Sequence, residues 1–347
     1  MLTYLGIYSM LTFAGLSSGV RKIGIYIFFV SLFLIWFMGF RYYTGCDYTG
    51  YLNRWNNYAL PNDLSNVFKG EEIGFSLLVY SVKSINLDYT WLNVFASVIL
   101  VFCYSIFAKA HRWSGIILAL LFPVVIVQLG MSGIRQALAG AFLMLAFNAF
   151  ISEKKIRTAM LILVGMQFHT SVVMFLPIAL LAGEKVDTIR LAVAVAVIGP
   201  AASLLLADRF DTYADRYIDQ IYGSVSSGGA IIRYALIALP VPFFLYYHRR
   251  IRIDFPRVYP FLKLIALIIL SLSPLIILSS IALHRINYYV MPGSILLCVY
   301  VGAVLARRTQ TGHLLFLASY GIYSLLWFLS SRHAQLCYVP YENTWTL

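Results

Sequence analysis

The stretch Met131–Thr170 decides how this chain is built: it opens Met-Ser-Gly-Ile-Arg-Gln and ends Gln-Phe-His-Thr. Between these ends lie two apolar runs joined by a basic turn, Glu153–Arg157. Arg135 stands at the start of the first run, and His169 lies within the second. Ionisable side chains are costly inside apolar membrane segments, so both residues are candidates for function.

The composition is that of a polytopic membrane protein. Of the 347 residues, 61% are hydrophobic and 12% are charged, whereas soluble domains carry about 25% charged residues. The longest hydrophilic stretch, Arg41–Glu72, has 32 residues and is too short for a separate soluble domain. We therefore expect one transmembrane domain over residues 1–347, in which Met1–Leu16 is a retained span and not a signal peptide.

The recurring apolar runs predict an all-α integral membrane protein with about ten transmembrane helices and two short or broken re-entrant segments. The re-entrant segments are Ile73–Leu87, which is short, and Ile156–Ala182, which is interrupted at His169 and at Pro177. The predicted spans are Leu2–Leu16, Ile23–Phe40, Trp91–Ala108, Ile116–Leu129, Ile134–Ile151, Leu191–Ala207, Ala230–Tyr247, Phe261–Leu283, Tyr288–Ala306 and Leu314–Ser330.

Charge predicts the orientation of these spans, because cytoplasmic loops of membrane proteins are rich in Lys and Arg. In this topology the inside holds 16 Lys and Arg against 4 Asp and Glu, and the outside holds 10 against 10. The net charge of +12 is then cytoplasmic, so it reflects topology and does not indicate nucleic-acid binding. Both termini and the polar segments 41–72 and 208–229 are then expected outside.

Arginines stand at the outer ends of four predicted spans: Arg41, Arg135, Arg233 and Arg285. Arg135, followed by Gln136, falls in the first turn of its helix, where backbone N–H groups and the helix dipole favour an anion. Arginines from several helices can converge on a pyrophosphate. The alternative for each is an interfacial arginine whose side chain reaches the lipid headgroups.

Two residues are candidates for a catalytic acid or base. His169 can act as a base, an acid or a hydrogen-bond donor, because a histidine side chain exchanges protons near neutral pH. Its alternative role is structural, as a buried histidine that holds the broken helix. Asp47 lies in a polar segment between Gly45 and Gly50, and its alternative role is that of a loop carboxylate paired with a nearby arginine.

Four further residues are weaker candidates for sugar binding: Tyr48, Tyr51, Tyr288 and Glu72. Aromatic residues are also common at membrane interfaces, and Glu72 could equally be the solvated start of a helix. Cys46 and Cys337 lie in outer segments and can form a disulfide, which the sequence leaves open. Because no Cys/His group has metal-ligand spacing, we predict no metal and no cofactor.

The chain resembles the EpsG/Wzy-type polysaccharide polymerases. The resemblance covers nearly the whole chain, and its most specific parts are Ile-Arg-Gln at 134–136 and Phe-His-Thr-Ser at 168–171. The other parts are Gly39–Arg41, Gly45–Tyr48 with Tyr51, Glu72–Phe75, Arg285–Tyr289 and Val339–Tyr341.

This resemblance implies a glycosyltransferase of GT-C-like architecture in the bacterial inner membrane, with its active site facing the periplasm. Such an enzyme polymerises oligosaccharide repeat units carried on undecaprenyl pyrophosphate, for O-antigen, capsule or exopolysaccharide, without a metal. The implied partners are the lipid-linked oligosaccharide, inner-membrane lipids, a chain-length regulator and a flippase, but no nucleic acid.

Two other functions fit a chain of this kind. A transporter of polysaccharide or lipid-linked oligosaccharide also contains broken helices, but usually shows two related halves, which this sequence lacks. A membrane O-acyltransferase would need access to a cytoplasmic acyl donor, whereas the candidate residues here are expected outside. An O-antigen ligase is close in chemistry but usually has a larger periplasmic loop.

Overall fold

The computed structural model describes residues 1–17, 23–60, 68, 72–183, 228–278, 280–306 and 311–345. The chain is an all-α membrane protein, and five of its described helices are long and apolar enough to cross a membrane: Tyr89–Lys109, Ile134–Ile151, Gly229–Asp254, Ala282–Leu305 and Thr311–Ser330. The predicted span Leu191–Ala207, most of the predicted segment 208–229 and residues 61–67 and 69–71 of the segment 41–72 lie outside the described residues.

Helices make up nearly all of the described secondary structure. In chain order the elements are α1 (Leu2–Ser17), α2 (Ile23–Gly39), β1 (Arg41–Tyr42), α3 (Tyr48–Asn57), α4 (Ile73–Ser84), α5 (Tyr89–Lys109), α6 (Ser114–Leu121, continued as a π-helix over Phe122–Gly130), α7 (Ile134–Ile151), α8 (Lys155–Met166), a 3₁₀-helix (Thr170–Phe175), α9 (Ile178–Leu181), α10 (Gly228–Ala238), α11 (Pro240–Asp254), α12 (Tyr259–Ser271), α13 (Leu275–Leu278), α14 (Ser280–Leu305), α15 (Thr311–Ser330), α16 (Arg332–Tyr338) and β2 (Glu342–Asn343).

The chain divides into two compact units. Unit 1 comprises Met1–Phe142, Val164–His169 and Leu315–Leu347, and unit 2 comprises Leu143–Leu163 and Thr170–Leu314. In unit 1, α2 packs against α5 and α1 packs against α6. In unit 2, α14 packs against α10, α11 and α12.

Several polar groups in the core of unit 1 are paired with one another, which offsets the cost of their burial. The Tyr338 hydroxyl donates to the Gln128 carbonyl at 3.0 Å, and the Tyr323 hydroxyl donates to Gln128 Oε1 at 3.0 Å. Gln128 lies in the π-helical part after α6, where the regular i→i−4 bonding is interrupted. The Tyr4 hydroxyl in turn donates to the Tyr338 carbonyl at 3.0 Å, which ties α1 to α16.

The first loop and the C-terminal tail are joined twice within unit 1. Strands β1 and β2 pair antiparallel, with Arg41 opposite Asn343. A disulfide then links Cys46 to Cys337, and the Gly45 N–H donates to the Cys337 carbonyl at 2.7 Å. The pairing that the sequence left open is therefore formed in the structure.

The stretch around Arg135 and His169 folds as the sequence predicts. Helix α7 has the predicted bounds, so Arg135 lies in its first turn. The apolar run Ile156–Ala182 is broken, because α8 ends at Met166 and only a 3₁₀-helix and the short α9 follow. The short segment at Ile73 forms α4. Whether either segment is re-entrant stays a prediction.

The predicted span Phe261–Leu283 is wrong as a single helix. Helix α12 ends at Ser271, only α13 follows, and α14 already begins at Ser280. Pro274 explains the break, because proline lacks the N–H that a helix needs and disfavours helical geometry in the residue before it. Arg285 consequently lies inside α14 and does not precede it.

Candidate functional site

Three ionisable side chains meet in unit 1, and we call Glu72, Arg135 and His169 the Glu72 cluster. The Glu72 carboxylate accepts a hydrogen bond from Arg135 Nη1 at 2.5 Å through Oε2, and one from His169 Nδ1 at 2.7 Å through Oε1. The Glu72 side chain is 8% exposed, against 28% for Arg135 and 14% for His169. The carboxylate is thus enclosed, while its two partners remain more accessible.

Backbone hydrogen bonds between α4 and α8 bring Glu72 to His169. The N–H groups of Gly74 and Phe75, in the first turn of α4, donate to the Gln167 carbonyl at 2.8 and 3.4 Å. A side chain at position 74 would lie 3.0 Å from Gln167 Cβ, so glycine permits this close approach. The start of α4 is therefore hydrogen-bonded to the residue that follows α8, and Glu72 is placed beside His169, two residues after Gln167.

The turn after α8 fixes His169 from the other side. The Phe168 and His169 N–H groups both donate to the Gly165 carbonyl, at 3.0 and 3.2 Å. The Phe168 ring stacks on Phe142 of α7, with centroids 5.4 Å apart and planes 11° from parallel. Because the ring is held against α7, the imidazole that follows it points to Glu72.

Arg135 is held by a buried tyrosine of α3. Its guanidinium carbon lies 5.9 Å from the Tyr51 ring centroid, within the range of a cation–π contact. The Arg135 backbone N–H donates to the Tyr51 hydroxyl at 3.4 Å. Among the described residues, Arg135 Nε is buried and has no hydrogen-bond partner. Tyr51 thus orients the arginine, whose side chain as a whole remains 28% exposed.

Glu72 is ionised under ordinary conditions. Burial by itself raises the pKa of a carboxyl group, because water no longer solvates the charge. The hydrogen bond from His169 and the positive charge of Arg135 outweigh this effect, so the pKa of Glu72 lies below its usual value of 4.5. An ionised carboxylate can only accept hydrogen bonds.

This charge state determines the tautomer of His169. Since the carboxylate accepts, His169 Nδ1 must carry the proton that it shares with Glu72. In the neutral imidazole the other nitrogen, Nε2, then holds a lone pair, and it makes no hydrogen bond to any residue that the structure describes. The arrangement presents a basic nitrogen backed by a buried negative charge, which is suited to general-base chemistry.

Asp47 lies at the start of α3 but is not part of the Glu72 cluster. Its side chain is exposed and makes no capping hydrogen bond, whereas its backbone N–H donates to Ser132 Oγ at 3.1 Å. Ser132 precedes α7, so the backbone around Asp47 packs against the segment that leads to Arg135. The catalytic role of Asp47 stays a prediction.

Arg41 and Tyr48 have structural surroundings. Arg41 is 1% exposed; its Nη2 donates to Asn93 Oδ1 at 2.8 Å, and its Nη1 donates to the Met38 carbonyl. Tyr48 is buried and packs edge-on against the Tyr89 ring at 5.2 Å. Neither side chain presents a surface to a sugar or a pyrophosphate in this structure, although their predicted binding roles are not tested by it.

Unit 2 holds a second polar group. The buried Arg233 donates through Nη1 to the Tyr288 hydroxyl at 2.7 Å and through Nη2 to His284 Nδ1 at 2.5 Å. Its guanidinium carbon lies 5.1 Å from the Tyr288 ring centroid. Arg285 is half-buried in the same turn of α14. The structure thus brings the predicted Arg233 and Tyr288 into direct contact and places His284 beside Arg233. Gln136 is half-buried in the first turn of α7, next to Arg135 in unit 1.

Sequence reasoning missed two features of these groups. His284 was not predicted as a site residue, although it precedes Tyr288 by one helical turn and therefore shares a face with it. Glu72 was predicted only as a weak sugar ligand, whereas the structure makes it the common partner of Arg135 and His169. The signal for Glu72 was its place directly before a short apolar helix, where an acidic residue is favourable.

One group among the described residues has the composition of a metal site. The ligand atoms of Cys46, His333 and Cys337 lie within 4.8 Å of one another. Two of the three residues are joined in the disulfide, so their thiolates are not available as ligands in this state. The expectation that the protein needs no metal stays a prediction.

Comparison with known proteins gives one match. The model of the EpsG family matches residues 24–343, which cover the Glu72 cluster and the Arg233 group. Neither the curated proteins nor the solved structures contain a match to this chain.

Proposed function

Because this chain belongs to the EpsG family of polysaccharide polymerases, we propose that it joins oligosaccharide repeat units that are carried on undecaprenyl pyrophosphate. The observation that carries this proposal is the Glu72 cluster, in which an enclosed carboxylate binds His169 Nδ1 and Nε2 has no hydrogen-bond partner among the described residues. A base of this kind suits the transfer of a glycosyl group to a sugar hydroxyl.

The proposed reaction is a displacement at the anomeric carbon of the growing chain. The acceptor hydroxyl oxygen forms a bond to this carbon, the bond between the carbon and the lipid pyrophosphate oxygen breaks, and the hydroxyl proton passes to His169 Nε2. Because pyrophosphate is already a good leaving group, the enzyme mainly positions the acceptor and stabilises the charge that leaves. A single displacement of this type inverts the anomeric configuration.

Arginines are the proposed ligands of the pyrophosphate. Arg135 is the first of them, because its side chain is 28% exposed and only its Nη1 is paired with Glu72 among the described residues. Arg285 and Arg233 are proposed as further ligands, because both lie in the polar group around Tyr288, where Arg233 donates to Tyr288 and to His284. Guanidinium groups match the planar, bidentate geometry of phosphate oxygens. Arg41 is ranked below these arginines, because it is 1% exposed and donates to Asn93 and to the Met38 carbonyl.

The proposed setting is the inner membrane of a bacterium, with the Glu72 cluster facing the periplasm. About ten spans in a GT-C-like arrangement would place the starts of α4 and α7 on the outer side, and the excess of Lys and Arg on the cytoplasmic side. At that depth the cluster would meet the headgroup of a lipid-linked sugar. A flippase would supply this substrate, and a chain-length regulator would act on the product.

Deletion of the gene, followed by gel analysis of the surface polysaccharide, tests the function. We expect the long ladder to disappear and a single repeat unit to remain. Loss of every repeat unit would instead indicate transport or ligation, and an unchanged ladder with altered acetylation would indicate an acyltransferase.

Complementation with point variants tests the site. We expect His169→Ala and Arg135→Ala not to restore the ladder, although the proteins accumulate in the membrane. His333→Ala is the matched control, because His333 is an exposed histidine of α16 outside the Glu72 cluster. A ladder restored by His169→Ala would refute the assignment of the base.

A further inference from the structure

The contacts of Glu72 define a role that differs from sugar binding. Its two carboxylate oxygens are divided between two protein partners, Arg135 and His169, and its side chain is 8% exposed. A sugar ligand would need an accessible oxygen. The residue therefore acts on its neighbours.

We infer that Glu72 is a positioning residue for His169: its carboxylate holds Nδ1–H, directs Nε2 to the acceptor hydroxyl and stabilises the imidazolium that forms there. This inference rests on the proposed function, since it assumes that His169 is the base. A histidine whose second nitrogen is bound by a carboxylate has a fixed tautomer and ring orientation, and is a stronger base.

The charges around the His169 imidazole determine in which direction each substitution shifts the pH dependence of the activity. Among the described residues, the charged groups linked to the imidazole are Glu72, just before α4, and, through Glu72, Arg135 of α7, whose guanidinium lies over the Tyr51 ring of α3. Glu72 favours the protonated imidazole, while Arg135 disfavours it both directly and by neutralising Glu72. Removal of the anion and removal of the cation should therefore shift the activity in opposite directions along the pH scale.

The test measures kcat and the acceptor KM as functions of pH, with purified protein and a lipid-linked repeat unit. Glu72→Gln keeps a hydrogen-bond acceptor but removes the charge. We expect kcat to fall about 10- to 100-fold. The acid limb of the profile, where the base becomes protonated, should move to lower pH by about one unit or more.

Two further variants keep the test decisive if Glu72→Gln does not fold. Glu72→Asp keeps the charge, so it should leave the acid limb closer to that of the wild type. In Arg135→Gln the Glu72 carboxylate is no longer neutralised by the arginine. The acid limb of the residual activity should therefore lie at higher pH than in the wild type. A residue that only supports the fold would change the amount of folded protein and would not produce these opposite shifts.

Three results would overturn the inference. An acid limb that stays in place in active Glu72 variants would show that Glu72 does not act through His169. A raised acceptor KM at an unchanged limb would make Glu72 a sugar ligand. Absence of polymer with the wild-type protein would overturn the proposed function as well, and this outcome is distinct because it precedes any comparison of variants.

Discussion

Substitution of Gly45, in the loop between β1 and α3, by alanine should destabilise unit 1. Gly45 has φ = +107°, a conformation that side chains rarely adopt, and a Cβ at this position would overlap the Met131 carbonyl oxygen. The neighbouring Met131 carbonyl carbon would lie 2.9 Å away. Both atoms belong to the backbone just before α7, so they cannot move aside as a flexible side chain could.

The magnitude follows from these two effects. Forcing a residue with a Cβ into a sparsely populated backbone region costs about 1–3 kcal/mol. Overpacking against fixed atoms costs about 1–3 kcal/mol more. The expected loss of about 2–6 kcal/mol is a large part of the stability of a typical domain, about 5–15 kcal/mol. For a unit of this size it corresponds to a fall in Tm of at least about 4 °C.

The assay is thermal unfolding of the detergent-purified protein, with Gly50→Ala as the matched control. Gly50 lies in α3, and a Cβ there would meet nothing within 4 Å. Alanine should even stabilise this helix by about 0.5–1 kcal/mol. Equal Tm values for the two variants would refute the argument, because they would show that the loop does not pack on Met131 as described.

Three further outcomes are expected. Tm should fall when the disulfide is removed by Cys46→Ser or Cys337→Ser, or reduced with a dithiol. The disulfide closes a loop of 291 residues, for which the chain-entropy relation gives an upper limit of about 6 kcal/mol. An unchanged Tm would refute the link. The pKa of Glu72 is lowered in the folded state, so its contribution to stability is fully present above the unfolded value of 4.5 and is lost as the pH falls through the folded value. The Tm difference between the wild type and Glu72→Gln should therefore shrink below about pH 4.5. A difference that stays constant with pH would contradict this. Arg41→Met should cost about 1–3 kcal/mol by leaving polar partners unpaired, with the donor KM unchanged in the folded fraction, whereas a raised donor KM would restore Arg41 as a pyrophosphate ligand.

The helices could be read from the sequence where apolar runs have clear boundaries. Helix α7 begins after Gly133 and ends before a basic turn, so its predicted bounds were confirmed. The break near His169 was also predictable, because a polar pair interrupts an apolar run. Pro274 gave an equally clear signal, but the apolar residues on both sides of it suggested one continuous span, which the structure corrects.

The site was only half predictable. His169 and Arg135 stand out as ionisable residues in apolar surroundings. Their common partner could not be found in this way, because Glu72 is 63 residues from Arg135 and 97 from His169. Arg41 shows the converse case: an arginine at the end of a span looks the same in sequence whether it faces a ligand or donates to Asn93 and to the Met38 carbonyl, as Arg41 does. Only packing separates the two.

The broken helix and the carboxylate beside it are physically one feature. A helix that ends inside an apolar environment leaves carbonyl groups that need donors. Here the Gln167 carbonyl receives the N–H groups of Gly74 and Phe75, which are themselves unsatisfied at the start of α4. The start of α4 thus supplies N–H donors, and the end of α8 supplies a carbonyl acceptor. This pairing brings Glu72, just before α4, to His169, which follows α8. For this reason the Glu-Ile-Gly-Phe and Phe-His-Thr motifs form one structural unit, in which Gly74 permits the close approach and Glu72 and His169 provide the hydrogen-bonded carboxylate and imidazole.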